Sequence, residues 1–379
     1  MRELDKLENC YKQYWADEEG YLVMPNTARG KLYLNGINKD IPIKGILDND
    51  SKLDRAEYNH IPIFFAPEYL KKNKKNKILI SNHYKEISKQ LDGYGYKENI
   101  DYMDMHKFVS IWYWVNKEEI HILDMHIAVT TYCSLNCRDC NMFISSYEKD
   151  KRTHITMEVF QDNIKTLFNA IDYCYRITIV GGEPLLNPEL YKMIRWLEDT
   201  YRDNFGILEI VTNGTIVPKQ ELLDVCKEQN IRFAISDYGE YVSFAQNIHK
   251  LIEALKREKI EYEQKKEMKW KNFYFPREQQ KAKFNTVREH MLTCNPIFRG
   301  TNDNKFYYCH IVWSAVQAGL LEEKETDFID LSRVVKEEDR RKLLAYDLGI
   351  MEKEFVSLCK HCGGCGEDNT AIIPAGIQA

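Results

Sequence analysis

The sequence predicts an α/β protein whose centre is a run of parallel strands. Three observations carry this. From about residue 121 to 263, apolar β-type runs alternate with amphipathic helical stretches. A shorter alternation of the same kind occupies residues 1–110 or so. Eight of the eleven cysteines fall in two groups, Cys133, Cys137 and Cys140, then Cys294, Cys309, Cys359, Cys362 and Cys365. At 379 residues the chain is long for one domain, and about 150 residues per domain suggests roughly two or three. The pattern divides it into a small α/β unit (1–120), a β/α core (121–265) and a connector with a cysteine-rich unit (266–379).

Composition bounds the function. Hydrophobic residues at 44% and charged residues at 29% are ordinary for globular chains and exclude collagen, coiled coil and wholesale disorder. A formal charge of −5 exerts no global pull toward nucleic acid or anionic membranes. No apolar run approaches the roughly 18 residues of a spanning helix. The opening Met1-Arg2-Glu3-Leu4-Asp5-Lys6 is acidic and leads into no apolar signal-peptide core. The chain reads as a soluble cytoplasmic protein with no membrane partner.

In the first unit a polar helix is expected over Asp5 to Glu18, followed by a short strand Lys31-Leu32-Tyr33-Leu34. Further strands are expected within Ile41 to Asp48, Ile61 to Phe65 and Lys77 to Ser81, with a helix from Tyr84 to Leu91. Strands alternating with helices suggest a parallel sheet. The run Lys71 to Lys77 reads as a solvated loop. The unit resembles truncated Rossmann-like segments of sugar-nucleotide and surface-glycan enzymes. Asn35-Gly36-Ile37-Asn38 is no glycine-rich phosphate loop, so dinucleotide binding is not supported. A docking role and small-ligand binding both stay open.

In the core, strands are expected over His121 to Thr131, Tyr175 to Val180, Ile207 to Thr212, Ile231 to Ile235 and Ile260 to Glu263. Helices between them start at Thr156, which caps the apolar face Met157, Phe160, Ile164, Leu167 and Phe168, and span Pro188 to Asp203, Pro218 to Gln229 and Ser243 to Lys259. Five or six such units make a complete barrel, a partial barrel or an open doubly wound sheet. In each, chemistry belongs on the loops after the strand C-termini. Residues 264–293 mix lysines and arginines with Trp270, Phe273, Tyr274 and Phe275. That mixture could grip a nucleic-acid strand, but a connector with inward aromatics is the simpler reading.

A cytosolic chain gains nothing from disulfides that glutathione would reduce, so clustered thiols point to metal or redox chemistry. Thr131-Tyr132-Cys133-Ser134-Leu135-Asn136-Cys137-Arg138-Asp139-Cys140 offers three thiolates spaced C-x3-C-x2-C. Three thiolates can hold three irons of a 4Fe–4S cluster and leave the fourth open. Zinc would want a fourth ligand nearby, and His154 is poorly placed. Iron–sulfur, zinc and unligated thiols remain open on spacing alone. The next strand ends in Gly181-Gly182-Glu183-Pro184, where two glycines permit close backbone approach and the carboxylate can accept from an ammonium group. The third ends in Thr212-Asn213-Gly214 and the fourth in Ser236-Asp237-Tyr238-Gly239.

With motifs at these consecutive strand ends, residues 121–263 resemble the radical S-adenosylmethionine (radical SAM) superfamily. The resemblance implies a partial (β/α)6 barrel in which Cys133, Cys137 and Cys140 bind a 4Fe–4S cluster and SAM chelates the open iron. It implies that Gly181, Gly182, Glu183 and the following Pro184 receive the methionyl ammonium, while Ser236 and Asn213 meet the ribose or carboxylate. The usual aromatic residue before the third cysteine is Asp139 here. That departure removes a ring from the adenine pocket and leaves the backbone at 139 to serve. The implied chemistry is reduction of SAM to a 5′-deoxyadenosyl radical that abstracts a substrate hydrogen, with the protein orienting substrate and excluding water.

The second cysteine group resembles the twitch (shortened SPASM) extension, which holds an auxiliary 4Fe–4S cluster; a zinc knuckle is the bland alternative. Cys294, Cys309, Cys359 and Cys362 fit the twitch order, with Cys365 a spare or alternative ligand. Cys10, Cys174 and Cys226 read as ordinary thiols. His290 and His310 adjoin auxiliary ligands and are open to packing duty or proton transfer, as are Tyr238 and Glu240. The final Ile373-Pro374-Ala375-Gly376-Ile377-Gln378 reads as a docking tail. Twitch enzymes include dehydrogenases of aminocyclitols. With the glycan-like first unit, this favours oxidation of a small sugar-nucleotide, glycan or cyclitol substrate, with a flavodoxin- or ferredoxin-type electron donor. The alternative is a maturase that modifies a peptide by thioether formation, cross-linking or epimerisation; residues 1–110 do not look like the winged helix such enzymes often carry.

Overall fold

The computed structural model describes residues 2–16, 19–37, 39–73, 76–82, 85–239, 242, 246–266, 269–277, 286–294, 299–351 and 356–379. The chain forms two compact units, Met1–Leu123 and Asp124–Ala379.

The first unit holds one six-stranded sheet of β1 (Tyr21–Met24), β2 (Ile43–Asp48), β3 (Glu57–Tyr58), β4 (Ile61–Phe65), β5 (Lys77–Ile80) and β6 (Tyr102–Asp104), ordered β3-β4-β2-β1-β5-β6. Only β3 and β4 pair antiparallel; the other pairs are parallel. The five parallel strands therefore follow the order third, second, first, fourth, fifth, as in a Rossmann-type sheet. Leu22, Met24, Leu47, Ile78 and Ile80 build its core with Leu70, Ile87 and Leu91 from the covering helices.

One expectation here is wrong. Lys31–Leu34 is not a strand but part of the helix Ala28–Ile37, in which Leu32, Tyr33, Leu34 and Ile37 are all buried. Four residues are too few to separate a period of two from 3.6. Gly36 accordingly sits in that helix, while Asn38 lies outside the described residues. The first helix runs Arg2–Tyr14, short of the expected Glu18, and another runs Lys85–Gly93; Glu18 and Tyr84 lie outside the described residues. Lys71 and Lys72 are exposed but close the helix Ala66–Lys72.

The second unit contains β7 (His121–Ala128), β8 (Tyr173–Val180), β9 (Phe205–Thr212), β10 (Arg232–Ser236), β11 (Tyr262–Lys265), β12 (Lys269–Lys271), β13 (Arg299–Asn302), β14 (Lys305–Tyr307), β15 (Ile329–Asp330) and β16 (Ile372–Pro374). Eight of these form one sheet ordered β11-β10-β9-β8-β7-β13-β14-β15. Strands β8 to β11 pair in parallel and in sequence order. The sixth parallel strand does not follow β11: it is β13, which returns to pair with β7. Among the described residues β11 and β15 are the edges, so the sheet stays open and no barrel closes. β12 and β16 form a separate antiparallel pair.

Thr156 caps the helix Met157–Ala170 by accepting from the Val159 N–H at 3.3 Å, and Phe160, Ile164 and Leu167 are fully buried beneath it. Helices Leu190–Tyr201, Gln220–Glu228 and Gln246–Glu258 fill the later crossovers; Ser243 lies outside the described residues. Alternation along β8 and β9 puts Ile177, Ile179, Leu208 and Ile210 on one buried face, leaving Arg176, Thr178 and Glu209 on the other. There Asp124 accepts from Arg176 at 3.1 and 2.6 Å and from Thr178 at 2.9 Å. Arg176 stands 3.6 Å from Glu209, which accepts from Arg232 at 2.6 Å. A line of alternating charges thus crosses four strands. Burial opposes the charge of Asp124, but His126 and Arg176 outweigh it and hold the carboxyl well below the usual range. Among the described residues no helix is long and apolar enough to cross a membrane.

Candidate active site

The first cysteine loop begins where β7 ends, and the backbone of the next strand end locks it. The Gly182 N–H donates to Thr130 O and the Glu183 N–H to Tyr132 O, each at 2.8 Å. This zipper needs both glycines. A Cβ at Gly181 would lie 2.4 Å from Thr130 O, and one at Gly182 only 2.1 Å from Tyr132 O. The close approach that they permit is therefore made to the cysteine loop itself. His154 bonds Thr130 through Nδ1 at 2.8 Å, with its ring against Tyr132.

The three thiols share one environment. Cys137 is buried with Leu135 and Val242, and Cys133, Cys140, Tyr238 and Trp270 pack against them. Burial pushes Cys133 up to about 12, with neighbouring thiols and Glu183 adding to the rise. Burial and Cys140 push Cys137 up to about 11, and burial raises Cys140 too. Three thiols that resist ionisation together need a cationic centre among them to become thiolates. N–H donors already face the sulfurs. Cys133 Sγ accepts from the Leu135 N–H at 3.4 Å and from Asn213 Nδ2 at 3.5 Å, and Cys137 Sγ from Gln378 Nε2 at 3.4 Å. A soft, donor-supported three-thiol set fits an iron–sulfur cluster. Among the described residues no group of three or more His, Cys, Asp or Glu is set to hold a single metal ion.

Glu183 is fully buried beside the loop. Its Oε1 accepts from Leu185 N at 3.1 Å and Thr212 Oγ1 at 2.9 Å, and its Oε2 from Asn213 N at 2.8 Å. Burial nevertheless pushes the carboxyl up to about 7. Pro184 opens the short turn Pro184–Leu186. Asn213 reaches Ser134 Oγ at 3.1 Å as well as Cys133, while its Oδ1 accepts from Thr215. Asn213 thus organises the loop. Ser236 ends β10 and bonds Tyr238, whose hydroxyl pKa rises through burial. Glu240 lies outside the described residues.

Asp139 is paired with Arg138 at 3.2 Å and with Arg277. These residues line a pocket of about 230 Å³ beside Cys140, together with Phe143, Phe275 and Ala379. The Phe143 and Phe275 rings meet edge-on, 5.4 Å apart. Two aromatic rings that the motif did not single out thus stand beside Asp139. Trp270 packs on Tyr238 in the same manner, so these two connector aromatics face inward; Lys281 and Lys283 lie outside the described residues.

The second cysteine group converges. Cys294, Cys309, Cys359, Cys362 and Cys365 line one pocket with Met291 among others. Cys365, expected to be a spare or an alternative ligand, stands 3.5 Å from Cys294 Sγ and gives it a backbone N–H at 3.3 Å. Burial raises Cys309 and Cys359, and neighbouring thiols raise both further. His290 spans Asp368 at 2.6 Å and the Cys362 carbonyl at 3.0 Å. His310 is buried, bonds Asn302 at 2.9 Å and stacks on Trp313. Both histidines have packing partners. Cys174 and Cys226 are fully buried, and Cys10 bonds Asn99 O.

Comparison with known proteins finds one family match and several partial likenesses. Residues 127–236 match the family described as Radical SAM superfamily. A GTP 3′,8-cyclase of Alkaliphilus oremlandii (strain OhILAs) is 29% identical over 96 residues, 25% of this chain and 28% of the relative. The chain thus matches about a quarter of that curated relative's length. Among solved structures, BtrN in complex with AdoMet and 2-DOIA is similar at 16% identity and a TM-score of 0.40, over 64% of this chain and 94% of that one. Native anSMEcpe with bound AdoMet and Cp18Cys peptide is similar at 20% identity and a TM-score of 0.31, over 38% and 42%. Streptococcus suis SuiB bound to precursor peptide SuiA is similar at 11% identity and 0.32, over 68% and 75%. The three-thiol loop at the end of β7 falls inside the stretch, residues 127–236, that matches the Radical SAM superfamily.

Proposed function

We propose that the protein is a radical SAM oxidoreductase with two 4Fe–4S clusters that oxidises a carbohydrate or cyclitol. The observation that carries the proposal is the convergence of five further cysteines on one pocket. Cys133, Cys137 and Cys140 would hold the first cluster, and Cys294, Cys309, Cys359 and Cys362 the second, with Cys365 able to substitute beside Cys294. When bound, the first cluster supplies the electron that reductively cleaves SAM to a 5′-deoxyadenosyl radical and methionine.

The chain's own residues bind and orient. Glu183 would accept from the SAM ammonium beside Gly181 and Gly182. Asn213 bonds the loop at Cys133 and Ser134, and with Ser236 would meet the ribose or carboxylate. The pocket lined by Phe143, Phe275 and the Asp139–Arg277 pair lies beside Cys140 and would shelter reactants from water. The second set is all thiolate, so the protein can satisfy every iron there and leave none for a ligand. A closed centre of that kind suits an oxidation, whose substrate must give up an electron after losing a hydrogen atom. The first unit is a six-stranded, mostly parallel sheet, which supports a small-molecule substrate over the winged-helix recognition of a peptide. A flavodoxin- or ferredoxin-type donor in the cytoplasm would supply electrons.

The test is anaerobic. The reconstituted enzyme with SAM and a reductant is offered aminocyclitols, sugar nucleotides and precursor-like peptides. The proposal expects 5′-deoxyadenosine and an oxidised product, in matching amounts, with the first two classes. A modified peptide instead would replace it with a maturase.

A further inference from the structure

Residues 376–379 reach the first cysteine loop and pair with it as a short antiparallel strand. Cys137 and Gln378 form the bridge. The Arg138 N–H donates to Ile377 O at 2.8 Å, and the Ala379 N–H to Asn136 O at 2.7 Å. The Gln378 side chain completes the zipper. Its Oε1 accepts from the Asn136 N–H at 2.8 Å, while its Nε2 donates to Cys137 Sγ at 3.4 Å and to Gly376 O at 2.6 Å. One carboxamide therefore holds the loop backbone and the sulfur that follows it. The chain enters this position at Gly376, whose φ is 80° and whose Cβ, if it had one, would lie 2.5 Å from Tyr238 Cβ. Upstream, β16 is tied to β12, so the segment is anchored at both ends.

The three sulfurs are served differently. Cys133 takes a donor from Asn213 at a neighbouring strand end. Around Cys140 the nearby backbone N–H groups of Met142, Phe143 and Ile144, within its own loop, offset part of the rise that burial causes. Cys137 takes its side-chain donor from Gln378, 241 residues away in sequence. An N–H aimed at a cluster sulfur stabilises the more negative, reduced state and so raises the reduction potential.

On the reading that this loop holds the SAM-binding cluster, we propose that residues 376–379 are a clasp on it and that Gln378 is a positioning residue that tunes the potential of the first cluster through Cys137. Glutamate would keep the acceptor toward Asn136 but lose the donor to sulfur. Alanine would lose both.

The experiment uses the full chain with Gln378→Ala, Gln378→Glu and, from the other end of the clasp, Gly376→Ala. In the cluster-free protein, hydrogen exchange at the Asn136 amide should quicken roughly three- to tenfold in Gln378→Ala. Gly376→Ala should quicken Asn136 and Arg138 together. Unchanged exchange at both amides in both variants would overturn the clasp. In the reconstituted protein, a potentiometric titration followed by electron paramagnetic resonance should move the first midpoint negative in Gln378→Ala. It should move further in Gln378→Glu, with iron content held. An unmoved midpoint in both variants would overturn the tuning role. A wild-type chain that binds no cluster through Cys133, Cys137 and Cys140 would overturn the functional reading and the tuning role together. The exchange result would still judge the clasp by itself.

Discussion

On the proposed function, the two cysteine groups would solve the same ligation problem by opposite means. The first puts three thiols on one ten-residue stretch, met by Glu183 and Asn213 from the loops after β8 and β9. The second draws five thiols from residues 294 to 365 into an apolar pocket, with two histidines already occupied by packing partners. It also leans on a buried ion pair. Arg299 donates to Asp347 Oδ1 at 2.7 Å and to Tyr308 O at 3.0 Å, immediately before Cys309. A local loop with a polar rim is suited to an incomplete centre that takes a ligand. A pocket closed by its own thiols is suited to holding charge away from ligands.

The sharpest way to break this comparison is to remove a thiol from the loop. Cys133→Ala, Cys137→Ala or Cys140→Ala should abolish SAM cleavage while about four irons remain at the second site. A variant that still makes 5′-deoxyadenosine at a comparable rate would end the assignment. The converse is Cys359→Ala with Cys362→Ala, which should cut about eight irons to about four. SAM cleavage should survive in that double variant and most substrate oxidation should not. Full product yield would point to a redox-neutral reaction, and zinc at the site would defeat the cluster.

Asp347→Ala asks whether the second site depends on burial. It removes the carboxylate that Arg299, itself buried, pairs with, and urea denaturation should find a loss of about 3–5 kcal/mol. A loss below about 1 kcal/mol would mean that Arg299 escapes to water. Glu183→Ala probes the rim of the first site. Losing a charge-assisted acceptor for an ammonium is worth roughly 1.5–3 kcal/mol, or a ten- to over hundredfold weaker SAM affinity, with iron content held. Titration of the reduced cluster with SAM, read by electron paramagnetic resonance, checks it; unchanged affinity removes Glu183 from the site.

A pH dependence tests the same carboxyl. Burial lifts Glu183 from 4.5 to about 7. Between those values the folded, cluster-free chain keeps a proton that the unfolded chain has released. The stability that Glu183 contributes should therefore be fullest below pH about 4.5 and decline as pH rises toward about 7. Thermal melts of Glu183→Gln should lack that decline relative to the native chain. An identical slope in both would place the titration elsewhere.

Much of this was readable from residue order. The strands β7 to β10 and their crossovers follow apolar periods long enough to distinguish, the helix after Thr156 begins at its cap, and β11 (Tyr262–Lys265) lies two residues beyond the expected Ile260 to Glu263. Lys31–Leu34 misled because four residues hold too little periodicity, and its neighbours decide that it is helical. The sixth parallel strand, β13, could not be placed by counting units. Its partner β7 lies about 175 residues earlier, and only sheet pairing brings them together. Phe143, Phe275, Arg277 and Gln378 carry no motif, since each acquires its meaning from what it touches.

What the sequence by itself determined is the chemistry that depends on spacing along the chain. Three thiols within eight residues, Cys133 to Cys140, must share a neighbourhood whatever the fold, and they lie inside the stretch 127–236 that matches the family. Tertiary structure alone decided which distant groups complete each centre. Gln378 meets Cys137, Cys365 meets Cys294, and Gly181 and Gly182 lie against the cysteine loop. The physical reason is that contact between residues far apart in sequence is paid for by burial and hydrogen bonding of the whole unit, which no short stretch encodes.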